Sequence, residues 1–166
     1  MAAPDIVMYE EEFNQIKAVI SKLRIDANAK VVFLVDKNGQ QIAAQGEIEN
    51  LDTTSLASLT AGNVAATDGL ARLIGEKEFS ILFHEGERDN IHISIVAQRV
   101  ILVVIFDERS SLGLVRLRVK KASVELNDVF ARIMSKVERE RAAAGAAFES
   151  PFAEITDDDI DSLFSE

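Results

Sequence analysis

The chain has 166 residues with no cysteine and only two histidines. Lys plus Arg number 18 and Asp plus Glu 28, so the net charge is −10. That length is enough for one domain with a sizeable core. The lack of Cys excludes disulfides, thiol catalysis and thiolate zinc sites, and the negative charge opposes bulk attraction to nucleic acid or an anionic membrane. Hydrophobic residues make up 48% of the chain, but no apolar run reaches the roughly 18 residues of a membrane span. The acidic start, MAAPDIVMYEEEF, lacks the basic and apolar pattern of a signal peptide. These features read as a soluble intracellular protein.

The charge is unevenly placed. Seven acids and no base lie between Ala146 and Glu166, leaving residues 1–145 near balance at −3. This shift, with the Ala-rich stretch before it, divides the chain into one domain over residues 1–141 and a flexible acidic tail over residues 142–166.

In chain order, Phe13, Ile16, Ile20 and Leu23 recur at helical spacing and predict a helix from about Glu10 to Asp26. Glu10, Glu11 and Glu12 suit the positive end of its dipole. Val31 to Val35 is continuously apolar, as in a strand covered on both faces. Asp36-Lys37-Asn38-Gly39 then predicts a hairpin in which Asn38 and Gly39 both take positive φ, with a return strand over Gln40 to Gly46. A second helix spans about Thr54 to Ile74, capped by Asp52, Thr53 or Thr54 and ended by Gly75. Strands follow over Phe79 to His84, Ile91 to Val96 and Val100 to Phe106. A third helix begins near Ser110 or Ser111 and reaches about Arg141. This order predicts an α+β sandwich, with helices around a five-stranded antiparallel sheet.

The chemistry-bearing motifs are sparse. No phosphate-binding loop is present, because no Lys follows the glycines of Gly62 to Gly69 and they lie inside a helical pattern. His84 and His92 fall on adjacent predicted strands, which leaves two readings: a pair that approach each other, or, favoured, two partly exposed strand histidines. No Ser has the companions of a catalytic triad.

The second helix is more informative. Leu56, Leu59, Asn63, Ala66, Leu70 and Leu73 share a broad arc and are expected to face the sheet. Ser58, Gly62, Ala65 and Gly69 fall within about 60° of one another on a different arc. Each interior glycine costs roughly 1 kcal/mol of helix propensity relative to Ala. The strip of small residues fits either a close contact within the fold or a docking surface for another protein. Phe79, Ile81 and Phe83 raise a related choice, between an interior strand and an edge strand covered by its own copy in a dimer.

Arg116, Arg118, Lys120 and Lys121, continued by Arg132, Lys136, Arg139 and Arg141, form either a solvated helix face or a dock for an acidic segment. In the tail, Phe152 and Ile155 belong to a short apolar stretch. Thr156 then caps a helical pattern in which Ile160, Leu163 and Phe164 share one face. So short a helix is marginal alone, which favours a segment that folds on a partner.

The order of elements resembles the roadblock/dynein light chain family. The specific stretches are MYEEEF (Met8 to Phe13), DANAKVVFLVDKNGQ (Asp26 to Gln40), LDTTSLASLTAGNVAA (Leu51 to Ala66), SLGLVRLRVKKAS (Ser111 to Ser123) and SPFAEITDDDIDSLFSE (Ser150 to Glu166). The resemblance implies a roadblock-type αββαβββα domain and a homodimer with a continuous ten-stranded sheet, made through Phe79, Ile81 and Phe83. It also implies a Ras-like bacterial polarity GTPase bound across the paired second helices, making Ser58, Gly62, Ala65, Gly69 and Arg72 partner-contact residues. The tail residues Phe152, Ile155, Ile160, Leu163 and Phe164 would form a further contact affecting affinity or nucleotide exchange. The implied activity is acceleration of GTP hydrolysis by repositioning the GTPase's own catalytic residues, without an inserted arginine. The chain would then be no enzyme itself and hold no metal or cofactor, the GTP and Mg²⁺ belonging to the partner. A cytoplasmic location, concentrated at a cell pole, accompanies this reading. The alternative is a dimeric scaffold or adaptor that binds a GTPase or cytoskeletal element without activating it.

Overall fold

The computed structural model describes residues 9–149. Its elements run α1 (Glu10–Asp26), β1 (Val31–Asp36), β2 (Gln41–Gly46), α2 (Thr53–Leu73), β3 (Ile81–Glu85), β4 (Asn90–Val96), β5 (Val100–Phe106) and α3 (Leu112–Glu149). The strands form one antiparallel sheet in the order β2-β1-β5-β4-β3, which leaves β2 and β3 at its edges. The result is the expected α+β sandwich, with α1 and α3 on one face of the sheet and α2 on the other.

The continuous apolar runs are covered on both faces, as expected. In β1, Val32 and Leu34 join Ile16, Ile20, Val115, Leu126 and Ile133 in the core beneath α1 and α3. Val31, Phe33 and Val35 point the other way and pack with Ala57, Ala61 and Val64 of α2. The α1–α3 contact also uses polar groups. Glu12 is buried and paired with Lys136, while Arg132 Nη2 donates to Gln15 Oε1 at 2.7 Å. The Lys136 ammonium holds the Glu12 carboxyl below its ordinary pKa. Part of the basic cluster on α3 is therefore engaged within the fold.

Four expectations need correction. The β1–β2 turn is a three-residue loop, Lys37 to Gly39, rather than a pair of residues with positive φ. Asp36 Oδ1 accepts the N–H groups of Asn38 and Gln40, and only Gly39, at φ 91°, is left-handed. A separate bulge follows between Leu34 and Val35, where Ile42 is the extra residue on β2. The third strand begins at Ile81, leaving Phe79 in the approach to it. The third helix continues beyond Arg141 to Glu149, so residues 142–149, expected in the tail, are helical. Their sequence, AAAGAAFE, is mostly strong helix formers.

The fourth correction concerns α2, where the sheet-facing residues are Ala57, Thr60, Ala61, Val64 and Ala71. Leu59, Leu70 and Leu73 instead lie exposed on the outside. Small side chains seat this helix close to the sheet. Gly39 shows how close, because a Cβ there would stand 3.2 Å from Ser58 Cα.

Candidate functional site

The candidate site is the outward face of α2, bounded by the free edge of β3. The ends of α2 are fixed by local chemistry. Asp52 caps it by accepting the Ser55 N–H at 3.1 Å, and its carboxyl is held below its ordinary pKa by the Ser55 hydroxyl and then the Ser55 amide. Gly75 follows the last turn at φ 84°, where its N–H reaches Arg72 O.

Between these ends, Ser58, Gly62, Ala65, Gly69 and Arg72 are all exposed, as the docking reading requires. Among the described residues, a Cβ added at Gly62 or Gly69 would meet nothing within 4 Å, so no close contact there accounts for either glycine. Alongside the strip lies an apolar ridge that the sequence had assigned to the core. Its residues Leu59, Leu70 and Leu73 are 72%, 57% and 83% exposed.

The two flanks of α2 face different neighbours. Asn63 Nδ2 lies 3.3 Å from Nε2 of His84 on β3. Leu59 and Leu70 fall within about 40° of Asn63 around the helix and so lie on its β3 side. Ser58 is on the opposite flank, against the β1–β2 turn at Gly39. The small-residue strip thus runs along the outward and hairpin side, and Leu59 and Leu70 along the side of the free sheet edge.

At that edge, Ile81 is 51% exposed, while Phe83 is half-buried and stacked on Phe106 with ring centroids 6.2 Å apart. The Ile95 N–H donates to Ser80 O at 3.0 Å, with Ile81 opposite Ser94 in the register. Antiparallel alternation then turns the backbone groups of Leu82 and His84 toward β4 and those of Ile81, Phe83 and Glu85 outward. The residues singled out for a dimer edge, Ile81 and Phe83, are among those whose backbone groups have no strand partner among the described residues. Phe79 lies half-buried before the strand.

The two histidines are not brought together. His84 pairs with Ile91 and His92 with Phe83, which sets the imidazoles on opposite faces of the sheet. His84 is exposed, but His92, expected to be partly exposed, is buried because its strand position faces the core under α1 and α3, with no partner for either ring nitrogen within the described residues. Desolvation, followed by the charge of Arg116, pushes its pKa below the ordinary value. Among the described residues, no group of His, Asp and Glu is placed to hold a metal ion. No helix there is long and apolar enough to cross a membrane. The tail candidates Phe152, Ile155, Ile160, Leu163 and Phe164 lie outside the described residues.

The Roadblock/LC7 domain model matches residues 15–106, and the chain belongs to that family. Among solved structures, Myxococcus xanthus MglB is 66% identical, with a TM-score of 0.73 over 76% of this chain and 96% of that one. The gliding protein MglB from Thermus thermophilus is 31% identical, with a TM-score of 0.72 over 77% of this chain and 97% of that one. A further structure, described as MglB with a tetrameric arrangement, is 29% identical, with a TM-score of 0.74 over 80% and 99% of the two chains. No curated protein matches the chain.

Proposed function

We propose that this chain is an MglB-like homodimeric activator of a Ras-like bacterial polarity GTPase of the MglA type. The observation that carries the reading is the outward face of α2, where Gly62 and Gly69 open onto free space beside exposed leucines. Two interior glycines weaken a helix, and no contact among the described residues explains them. A smooth strip lets the backbone of another protein approach closely. Likeness to MglB over most of the chain supports a GTPase as that protein.

In this reading the activator supplies no catalytic group. It holds the GTPase in the conformation in which the GTPase's own residues align water and phosphate. Arg72 is exposed at the margin of the strip. If it acted as an inserted finger, its removal would cost about 10³–10⁵ in rate. The proposal expects Arg72→Ala to lose far less.

The test is single-turnover GTP hydrolysis by the cognate GTPase, with and without this protein. Stimulation by the wild type, its loss in Ala65→Arg with a native circular dichroism spectrum, and near-retention in Arg72→Ala are the expected results. Binding without stimulation would favour the scaffold reading instead. The tail residues Phe152, Ile155, Ile160, Leu163 and Phe164 are proposed as a second contact. Deleting residues 150–166 should then weaken GTPase binding while leaving the dimer folded.

A further inference from the structure

A groove of about 500 Å³ lies between α3 and the turn that joins β4 to β5. Ile95, Ala97, Phe130 and Met134 give it apolar walls, and Glu78 and Arg99 add one charge of each sign. Its two sides are tied together. Asn127 Oδ1 on α3 accepts the Ala97 N–H at 2.8 Å. Ala97 and Gln98 meanwhile hold left-handed φ values of 53° and 59°, which neither residue type favours.

We propose that residues 150–166 of the same chain fold back along α3 and dock in this groove, seating Ile160, Leu163 and Phe164 against Phe130 and Met134. A docked tail is withheld from the GTPase, a consequence that rests on the second contact proposed above.

Length selects this occupant. Met134 stands 15 residues before Glu149 and Asn127 stands 22, about 22 and 33 Å back along the helix. Residues 150–156 in extended form cover about 23–25 Å. Pro151 favours that form, because it biases Ser150 away from the helical region and cannot continue α3 itself. The helical pattern over residues 157–164 then advances about 11 Å. Its apolar face therefore falls between the levels of Met134 and Asn127, where the groove lies. Exposed Val124 and Leu117 stand about 38 and 48 Å from Glu149, beyond a helical tail of the same chain. The basic cluster from Arg116 to Lys121 is out of its range for the same reason.

The chemistry fits as well. Apolar residues at i, i+3 and i+4 are the pattern of a helix laid in an apolar groove. Charge does not decide the matter. Arg99 and Arg141 favour Asp157 to Asp159, whereas Glu78 and Glu138 oppose them. Tethering places the segment at a roughly millimolar effective concentration, so even a weak groove is filled by its own tail before a free peptide.

The chain has no Trp, so an introduced one reports only on its own surroundings. In full-length Phe164→Trp, emission should be blue-shifted from that of the urea-unfolded chain. Ala131→Arg, at an exposed position lining the groove, should abolish the shift with an unchanged circular dichroism spectrum. Leu117→Arg, outside the groove, should leave it intact. Unfolded-like emission from both Phe164→Trp and Leu163→Trp would overturn the docking, as would a shift that survives Ala131→Arg. Re-equilibrating the Phe164→Trp, Ala131→Arg double variant with wild-type chain separates the two sources of tail. Recovery of the shift would show entry into another copy's groove and overturn docking within one chain.

For the withholding, Ala131→Arg should tighten binding of the GTP-loaded GTPase by about twofold or more if at least half of the tails are docked. Equal affinity with the shift abolished would overturn the withholding. No GTPase binding by either chain would overturn the function proposed above and leave the fluorescence result standing.

Discussion

The two faces of the sheet are finished differently. On one, α1 and α3 enclose a continuous core in which Ile16, Ile20, Leu102, Val115 and Leu126 are fully buried. On the other, a single helix closes the sheet with alanines and a valine, keeping its larger leucines outside. The first face buries large apolar side chains between helices and sheet. The second leaves Leu59, Leu70 and Leu73 on the outside of the helix that covers it. In the proposed reading, that one helix both closes the sheet and offers a surface to a partner.

The sharpest way to test this contrast is to remove the same side chain from each face. Leu126→Ala should cost about 2–5 kcal/mol of unfolding free energy, because it leaves a cavity between α3 and the sheet. Leu73→Ala, on the exposed outer side of α2, should change it by no more than about 0.5 kcal/mol. Urea titrations of the two variants measure the difference. Similar losses would mean that Leu73 belongs to the core after all.

A smaller effect of opposite sign is expected from the glycines. Gly62→Ala and Gly69→Ala should each stabilise the folded chain by about 0.5–1 kcal/mol, because the added methyl meets only open space and α2 gains propensity. The same substitutions should weaken partner binding. Stabilisation without any effect on binding would leave the glycines unexplained by docking.

The enclosed face also contains a pH-sensitive group. His92 is buried without partners among the described residues, and its pKa is lowered chiefly by desolvation. The unfolded chain therefore binds a proton more readily than the folded one. This group leaves stability intact above the ordinary histidine value of about 6.5 and removes it progressively as pH falls below that. The lowered carboxyl groups of Glu12, Asp52 and Asp107 act at more acid pH. Thermal melts between pH 7 and pH 5 should consequently flatten in His92→Leu. An unaltered slope would assign the acid sensitivity to other groups.

The smallest change should come from Asp52→Ala. It removes the side-chain acceptor of the Ser55 N–H and should lower the melting temperature slightly, with amide exchange accelerated chiefly in the first turn of α2. Protection lost across α1 or α3 as well would show that the two faces unfold as one unit.

The order of elements was legible in the sequence because each has a strong local signature. Val31 to Val35 and Val100 to Phe106 are apolar throughout, Asp52 and Gly75 bracket α2, and the stripe of α1 is regular. The orientation of α2 was not legible. Leucines and alanines alternate around that helix, so hydrophobicity alone does not distinguish its inner face from its outer one. Size decides the matter: the close seat on the sheet admits Ala57, Ala61 and Val64 and turns Leu59 and Leu70 away. The strip of Ser58, Gly62, Ala65 and Gly69 stood out because two glycines interrupt a helical pattern, but that pattern left open whether the strip faces the fold or a partner. The adjoining ridge was hidden, because an exposed leucine carries no mark in one dimension.

The length of α3 has a mechanical consequence. Among the described side chains, Val137 is the last of α3 that packs against the core, yet the helix runs on to Glu149. Those twelve further residues extend about 18 Å at helical rise. The far end of α3 is thus set by helical phase rather than by packing on the sheet. Removing two residues between Val137 and Glu149 would turn that end by about 200° around the helix axis.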